Sequence, residues 1–398
     1  MGQARLAKGI WRDLGGGWRK VYDPMTQETL SVARKPIRWR AAVWGVLLSI
    51  PACYWNAWQP TGALYSMIFS TMGCLIALIL VNRLLHSFAP RLVFATSDLV
   101  VIFGMVSVAS AIGGEWAFLN MQYVHHFAAY QSQDPENYQF MLKILPDSMY
   151  FKDPDLIKDF VAGGQGYGYF LTKLDLWLPK ILMWTLLYGM ITISLLCINS
   201  LMRDAWLRKE RLSFPIIQLP VAMMEENGRG PLWRSRPMWI AFGIMFTIDM
   251  LNGFHYLYPN LPNIPTKTWF DLGDIFKEAP LNALRDTPIS LYPFLAALGL
   301  FMPSNLLFSV IFFFITRKVV LVAMATYGID AGKYGGGYFT PSIPYFTEQT
   351  WGAVIGLFVS AIWLSRRHLK QVWSEIRSGA GAEDGGVPHR YVFLLLML

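Results

Sequence analysis

Cysteine is scarce in this chain, with three in 398 residues. Cys53, Cys74 and Cys197 all lie inside apolar runs without CxxC spacing, which excludes a disulfide framework and reads as small buried apolar side chains. Charge is scarce as well. Asp, Glu, Lys and Arg make up 15% of the residues, against about 25% in a soluble domain, so an ordinary soluble fold is excluded. Phosphate-loop, HExxH, GxSxG and DFG patterns are missing, and with them the usual signatures of an ATPase, a metalloprotease, a hydrolase and a kinase. The expectation is therefore no enzyme, no cofactor and no metal. The adjacent His125 and His126 lack any ligand spacing, and GGQGYGYF (163–170) lacks the ending of a phosphate loop. Nine Lys or Arg fall in the first 40 residues with no apolar h-region, so a cleavable signal peptide is not expected.

What fills the chain instead is apolar: 54% hydrophobic and 15% aromatic, arranged in continuous runs near 20 residues. Continuous runs indicate membrane helices, whereas a β-barrel would alternate. The fold expected is all-α, a polytopic transmembrane helical bundle in the cytoplasmic (inner) membrane. Spans are predicted over 41–58, 62–81, 98–120, 177–202, 238–258, 289–302, 304–327 and 351–364. The run 289–327 is divided at Pro303 because an undivided span leaves the following residues without a helix to cross back. That makes eight spans, and YVFLLLML (391–398), too short to cross a bilayer about 30 Å thick, reads as the start of a truncated ninth.

Net charge is +8, and its placement sets the orientation. The segments 1–40, 83–97, 203–237 and 365–390 are basic, while the loops 121–176 and 259–288 are acidic, the first with seven acidic and four basic residues. Basic loops stay in the cytoplasm, so the N-terminus is expected inside and the loops 121–176, 259–288 and 328–350 outside. The basic residues are topology signals rather than a nucleic-acid face. Arg317 and Lys318 then fall inside or near the end of a helix, where they either snorkel or serve a function.

Candidate functional residues follow from the cost of polarity in a membrane. Asp249 lies near the middle of 238–258, with Asn252 and His255 at i+3 and i+6 on neighbouring faces. A mid-membrane carboxylate costs several kcal/mol unless paired, hydrated or protonated; it is either a proton- or cation-coupling site or a packing partner for another helix. Gly113 and Gly114 interrupt the third span ahead of Glu115, which is either an unwound substrate contact or a residue already in water. Asp98 is expected to cap its helix. A dense charge cluster from Arg203 to Arg211 runs into an apolar segment broken by Pro215 and Pro220. Such backbone is tolerated at membrane depth only when buried in protein or lining a wet cavity. Ser213, Phe214, Pro215, Gln218 and Pro220 are candidates to line a pathway in a segment that dips into the bilayer, and so is Asn305 beside Pro303.

Five segments in order, WRAAVWGVLLSIPACYWNAW, SDLVVIFGMVSVAS, RKERLSFPIIQLPVAMM, NGFHYLYPNLPNIP and GLFMPSNLLFSVIFFF, resemble a family of uncharacterised bacterial multi-pass membrane proteins. That family is similar, more distantly, to the oligopeptide transporter superfamily, in which a charged turn leads through an E-x-L-x-F-P segment. Glu210, Leu212, Phe214 and Pro215 match that segment, and Ile216 and Ile217 stand where the transporters carry a serine–glycine pair. The resemblance implies about sixteen helices in two related halves, moving peptides or metal chelates with protons, and this chain would be the N-terminal half. The function expected is a secondary transporter, or half of one, for a small organic solute. The alternative is a non-transporting accessory or scaffold subunit. A membrane enzyme acting on lipid, using Glu115 or His255, ranks below both. Partners are then the bilayer, a small-molecule solute, and either further copies or other membrane subunits, without nucleic acid.

Overall fold

The structure is a computed structural model. It describes residues 38–58, 69–113, 135–150, 152–209, 214–266, 269–290, 292–329, 344–379 and 387–397. Helices account for nearly all of its regular structure. In chain order they are α1 (Trp39–Trp58), α2 (Phe69–Phe88), α3 (Thr96–Ile112), α4 (Pro135–Ile144), α5 (Pro154–Ala162), α6 (Tyr167–Thr172), α7 (Leu174–Asp204), α8 (Pro215–Gly228) and α9 (Arg236–Leu257). A two-residue antiparallel pair, β1 (Phe270–Asp271) with β2 (Pro288–Ile289), encloses the short α10 (Leu272–Ile275). Then follow α11 (Pro293–Phe301), α12 (Ser304–Thr326), α13 (Phe346–Ser378) and α14 (His389–Met397).

Among the described residues, four helices are long and apolar enough to cross a membrane: α2 over Ser70–Phe88, α7 over Leu174–Leu207, α9 and α12. The chain is a membrane protein by this measure, and α3 is a shorter apolar helix of 17 residues. The predicted break at Pro303 is present, because α11 ends at Phe301 and α12 begins at Ser304. Yet α11 has nine residues, which at 1.5 Å per residue is about 14 Å, half the hydrocarbon thickness. It does not cross alone, so a count of eight spans does not follow from helix length.

Several predicted boundaries move for identifiable reasons. The second helix continues to Phe88 rather than ending at 81, and so takes in Arg83; the start of the predicted span, 62–68, lies outside the described residues. The last predicted span is part of α13, 33 residues long, which continues through the basic stretch expected to be a loop; Lys, Arg, Glu and Gln are good helix formers. The described part of the charge cluster, 203–209, is helical: α7 passes Arg203 and Asp204 into a π-helical stretch at Ala205–Lys209. Pro215 and Pro220 do not break their segment. Pro215 opens α8, where its missing N–H costs nothing, and Pro220 sits within the helix. Asp98 is not the N-cap of α3. The helix starts at Thr96, and the Asp98 carboxylate, in the first turn, accepts the Ala95 N–H at 3.1 Å.

The residues fall into two compact units. One comprises 1–203, 220–230 and 375–398, the other 204–219 and 231–374.

In the first unit the core lies between α1, α2 and α3. Contacts ascend both α1 and α3 together, from Arg38–Asp98 through Gly45–Met105 to Cys53–Ala109 and Asn56–Ser110, so the two helices run parallel. Ser70 and Thr71, at the start of α2, meet Ser110 at the end of α3, so α2 is antiparallel to both. Thr71, Leu75, Leu78, Ile79 and Asn82 form one buried stripe, and Leu99, Ile102, Val106 and Ser110 another; both have the spacing of a single helix face. Small residues let α1 approach α3. A Cβ on Gly45 would lie 2.6 Å from the Met105 sulfur, and one on Gly113 would lie 2.8 Å from Cys53 Sγ. Close approach through glycine is how apolar helices gain contact in lipid, where no hydrophobic force drives them together.

In the second unit, β1, α10 and the turn Leu281–Leu284 form a small cap. Gly273 fits so tightly that a Cβ would meet the Arg285 Cα at 2.9 Å. The cap packs against α12.

Candidate functional site

Asp249, Asn252 and His255 lie on α9. The Asp249 side chain is exposed, with no hydrogen bond or ion pair to a described residue. The other two are engaged. Asn252 Nδ2 donates to the Ile264 carbonyl and its Oδ1 accepts the Ile264 N–H, both at 2.8 Å. His255 Nδ1 donates to the Leu261 carbonyl at 2.5 Å. Together they fasten the proline-rich turn after α9 back onto the helix. Their donors and acceptors there are spent on backbone, which leaves Asp249 as the unpaired polar group of the three.

Around α8, Phe214 is exposed at φ +40°, and its carbonyl accepts the Ile217 N–H at 3.1 Å. Pro215 starts the helix, Gln218 is half-buried and Pro220 is fully buried. Asn305 is exposed in the first turn of α12, its carbonyl accepting the Ser309 hydroxyl at 2.9 Å. Glu115 and Ser213 lie outside the described residues. The structure therefore gathers Asn252 and His255 about one turn, with Asp249 further back on the same helix, the 214–220 candidates at the start of α8 and Asn305 on α12. Among the described residues no three His, Cys, Asp or Glu side chains cluster as a metal site.

The densest polar constellation is one that hydropathy does not pick out. Regular helix in α8 stops at Met224, and Glu226, Asn227 and Gly228 follow with φ of +49°, +60° and +85°. Three consecutive left-handed residues are costly for side chains other than glycine or asparagine, so something must hold them. The Asn227 carbonyl accepts Asn82 Nδ2 at 2.9 Å, its N–H donates to Thr96 Oγ1 at 3.1 Å, and its Oδ1 accepts the Thr96 N–H at 2.8 Å. Arg83 donates twice to the Gly228 carbonyl, both bonds at 3.2 Å. Asn82, 2% exposed, also exchanges hydrogen bonds with both backbone groups of Phe94. The available signal was the Asn227–Gly228 pair, a left-handed turn dipeptide. Just before it, burial and then the neighbouring Glu226 charge raise the Glu225 carboxyl above its ordinary value.

A second polar cluster lies at the opposite end of the α1–α3 bundle. Asn56 Nδ2 donates to the Ser110 carbonyl at 3.1 Å, while Ser70 and Thr71 hydroxyls meet Ser110 Oγ at 3.2 and 3.4 Å. All four side chains are buried, and hydroxyl and amide groups satisfied in this way tie apolar helices together.

On α12, Lys318 Nζ donates to the carbonyls of Arg285 and Asp286, each at 3.2 Å, with Asp286 in the left-handed region at φ +58°. The neighbouring Arg317 guanidinium lies 4.9 Å from the centre of the Phe346 ring. Both cations are well inside the helix rather than at its end.

No curated protein and no solved structure matches the chain. Residues 31–398 match the model of DUF6785, a family of unknown function, and the chain belongs to that family.

Proposed function

We propose that this chain is a secondary transporter, or one half of one, moving a small organic solute such as a peptide or a metal chelate with protons. One observation carries the reading: two short apolar helices opened by proline, α8 and α11, accompany helices of full membrane length. Half-length helices leave backbone groups at membrane depth, and transporters use such ends to bind solutes and ions. Asp249 supplies the coupling carboxylate, since its side chain has no partner among the described residues. The resemblance to the oligopeptide transporter superfamily supports the same reading. The test is uptake of di- and tripeptides, and of iron chelates, into proteoliposomes under an imposed pH gradient. Wild-type uptake is expected to collapse on removing the gradient, and Asp249→Asn to lose the gradient dependence. Uptake by Asp249→Asn that still follows the gradient as in wild type would sink the coupling role.

A second reading, an accessory subunit of a larger membrane complex, draws on the membrane-length stretches of α9 and α12, in which no residue is buried by the described residues. Purification from native membranes separates the two. Fixed-ratio recovery with other subunits, together with no uptake by the isolated chain, favours the accessory role.

A further inference from the structure

Arg317 and Lys318 are adjacent cations within an otherwise apolar stretch, with LLFSVIFFFIT before them and VVLVAMAT after. On α12 Arg317 is about 20 Å from the Ser304 end and about 14 Å from the Thr326 end, at 1.5 Å per residue. Neither end is within reach of an extended arginine side chain. An uncompensated arginine at this depth costs several kcal/mol, so each cation needs a partner.

The two are treated differently. Successive residues on a helix point about 100° apart. Lys318 faces the cap and spends two of its three donors on the Arg285 and Asp286 carbonyls. Arg317 is exposed, and its one described contact is the Phe346 ring. A ring face attracts a cation without using its N–H groups. Toward the described residues the planar guanidinium keeps its five donors, in the fork geometry that matches two oxygens of a carboxylate or phosphate.

We propose that Arg317 is the anchor of an oxyanion site in the membrane domain, taking the carboxylate or phosphate group of a solute or of a lipid headgroup. Lys318 holds the adjoining cap in place, and Phe346 orients the guanidinium. The site depends on α12 lying in the membrane and not on transport, so it stands if the uptake experiment fails.

The test uses the whole chain purified in dodecyl maltoside, a detergent without phosphate. Two probes are applied to wild type, Arg317→Gln and the control Arg366→Gln, which removes an arginine that also lies over a ring (Trp363). Citrate binding is read from the rise in unfolding temperature against sodium chloride at equal ionic strength, and phosphatidylglycerol retention from native mass spectrometry. Arg317→Gln is expected to bind at least one probe roughly ten-fold more weakly, the loss of a charge-assisted pair, while Arg366→Gln binds as wild type. Loss of citrate alone assigns a solute, loss of the lipid alone a headgroup, and loss of both a general oxyanion site. Unchanged binding of both probes by Arg317→Gln overturns the proposal, as does an equal loss in Arg366→Gln. If Arg317→Gln does not fold, Arg317→Lys is read in its place, because it keeps the charge and loses the fork. Weakening of about three-fold or more supports the site and unchanged binding overturns it.

Discussion

The Asn82 side chain donates to the main-chain carbonyl of Asn227 at 2.9 Å, joining residues 145 positions apart. The same amide closes the turn between α2 and α3 through Phe94. One buried side chain thus fixes where the helical part of α8 ends relative to the α1–α3 bundle.

Replacing Asn82 with alanine leaves the Phe94 N–H, the Phe94 carbonyl and the Asn227 carbonyl short of a partner in a buried place. Unpaired buried groups cost roughly 1–3 kcal/mol each. Asn82→Ala is therefore expected to lower stability by about 3 kcal/mol, read as a fall in the unfolding midpoint of the detergent-solubilised protein. An unchanged midpoint would mean the bond contributes nothing.

Two glycines in the first unit should respond with opposite signs. Gly228 has φ +85°, and an added Cβ would lie 2.8 Å from the Ile79 side chain. Gly228→Ala combines left-handed strain of about 1–2 kcal/mol with a clash against a fully buried residue, and should destabilise. Gly73 lies inside α2 with nothing within 4 Å of a Cβ, so Gly73→Ala should stabilise by up to about 1 kcal/mol through helix propensity. Thermal unfolding of both variants beside wild type checks the pair.

Tyr169 is predicted to ionise well above the ordinary tyrosine value. Its hydroxyl donates to Asp159 Oδ2 at 2.5 Å, and that bond, with desolvation and the charges of Asp159, Asp153 and Asp155 adding to it, pushes its pKa from 10 up to about 12. A raised acid pKa means the folded state holds the proton more tightly. The linked stability is full below pH 10 and is lost as pH rises from 10 to 12. The ultraviolet difference titration of wild type against Tyr169→Phe should show a phenol ionising near 12, and Asp159→Asn should lower it. If the phenol lost in Tyr169→Phe ionises near 10 instead, the bond to Asp159 is refuted.

Orientation is testable from both sides. With Cys53, Cys74 and Cys197 replaced, a cysteine at Ser235 should react with a membrane-impermeant maleimide only from the cytoplasmic face, and one at Asn263 only from the opposite face. Labelling of both from the same side would refute the expected topology.

Much of the helical layout was legible because its signals are local. The apolar runs around α1, α3, α7 and α9 follow from composition, and the break before Ser304 follows from Pro303. Length misled at α11, where a proline at the start and another just past the end confine an apolar run to nine residues. Polarity misled at α13, where charged helix formers extend an apolar helix. Of the candidate site residues, Asp249 has no side-chain partner among the described residues, whereas Asn252 turns to the backbone of Ile264 and His255 to that of Leu261. Periodicity gave no warning, because it reports the face a residue occupies and not what folds back over it.

Hydropathy and the scarcity of charge are sums over neighbours, so they place this chain in a membrane and build it of helices without any knowledge of its packing. Which polar groups are already satisfied is settled instead by contacts between distant residues. Asn82 and Thr96 meet Asn227, Ser110 meets Asn56, Ser70 and Thr71, Lys318 meets two carbonyls of a distant cap, and Arg317 lies over the Phe346 ring. Hydrogen bonds of that kind depend on distances between residues far apart in the chain, and local composition carries no record of them.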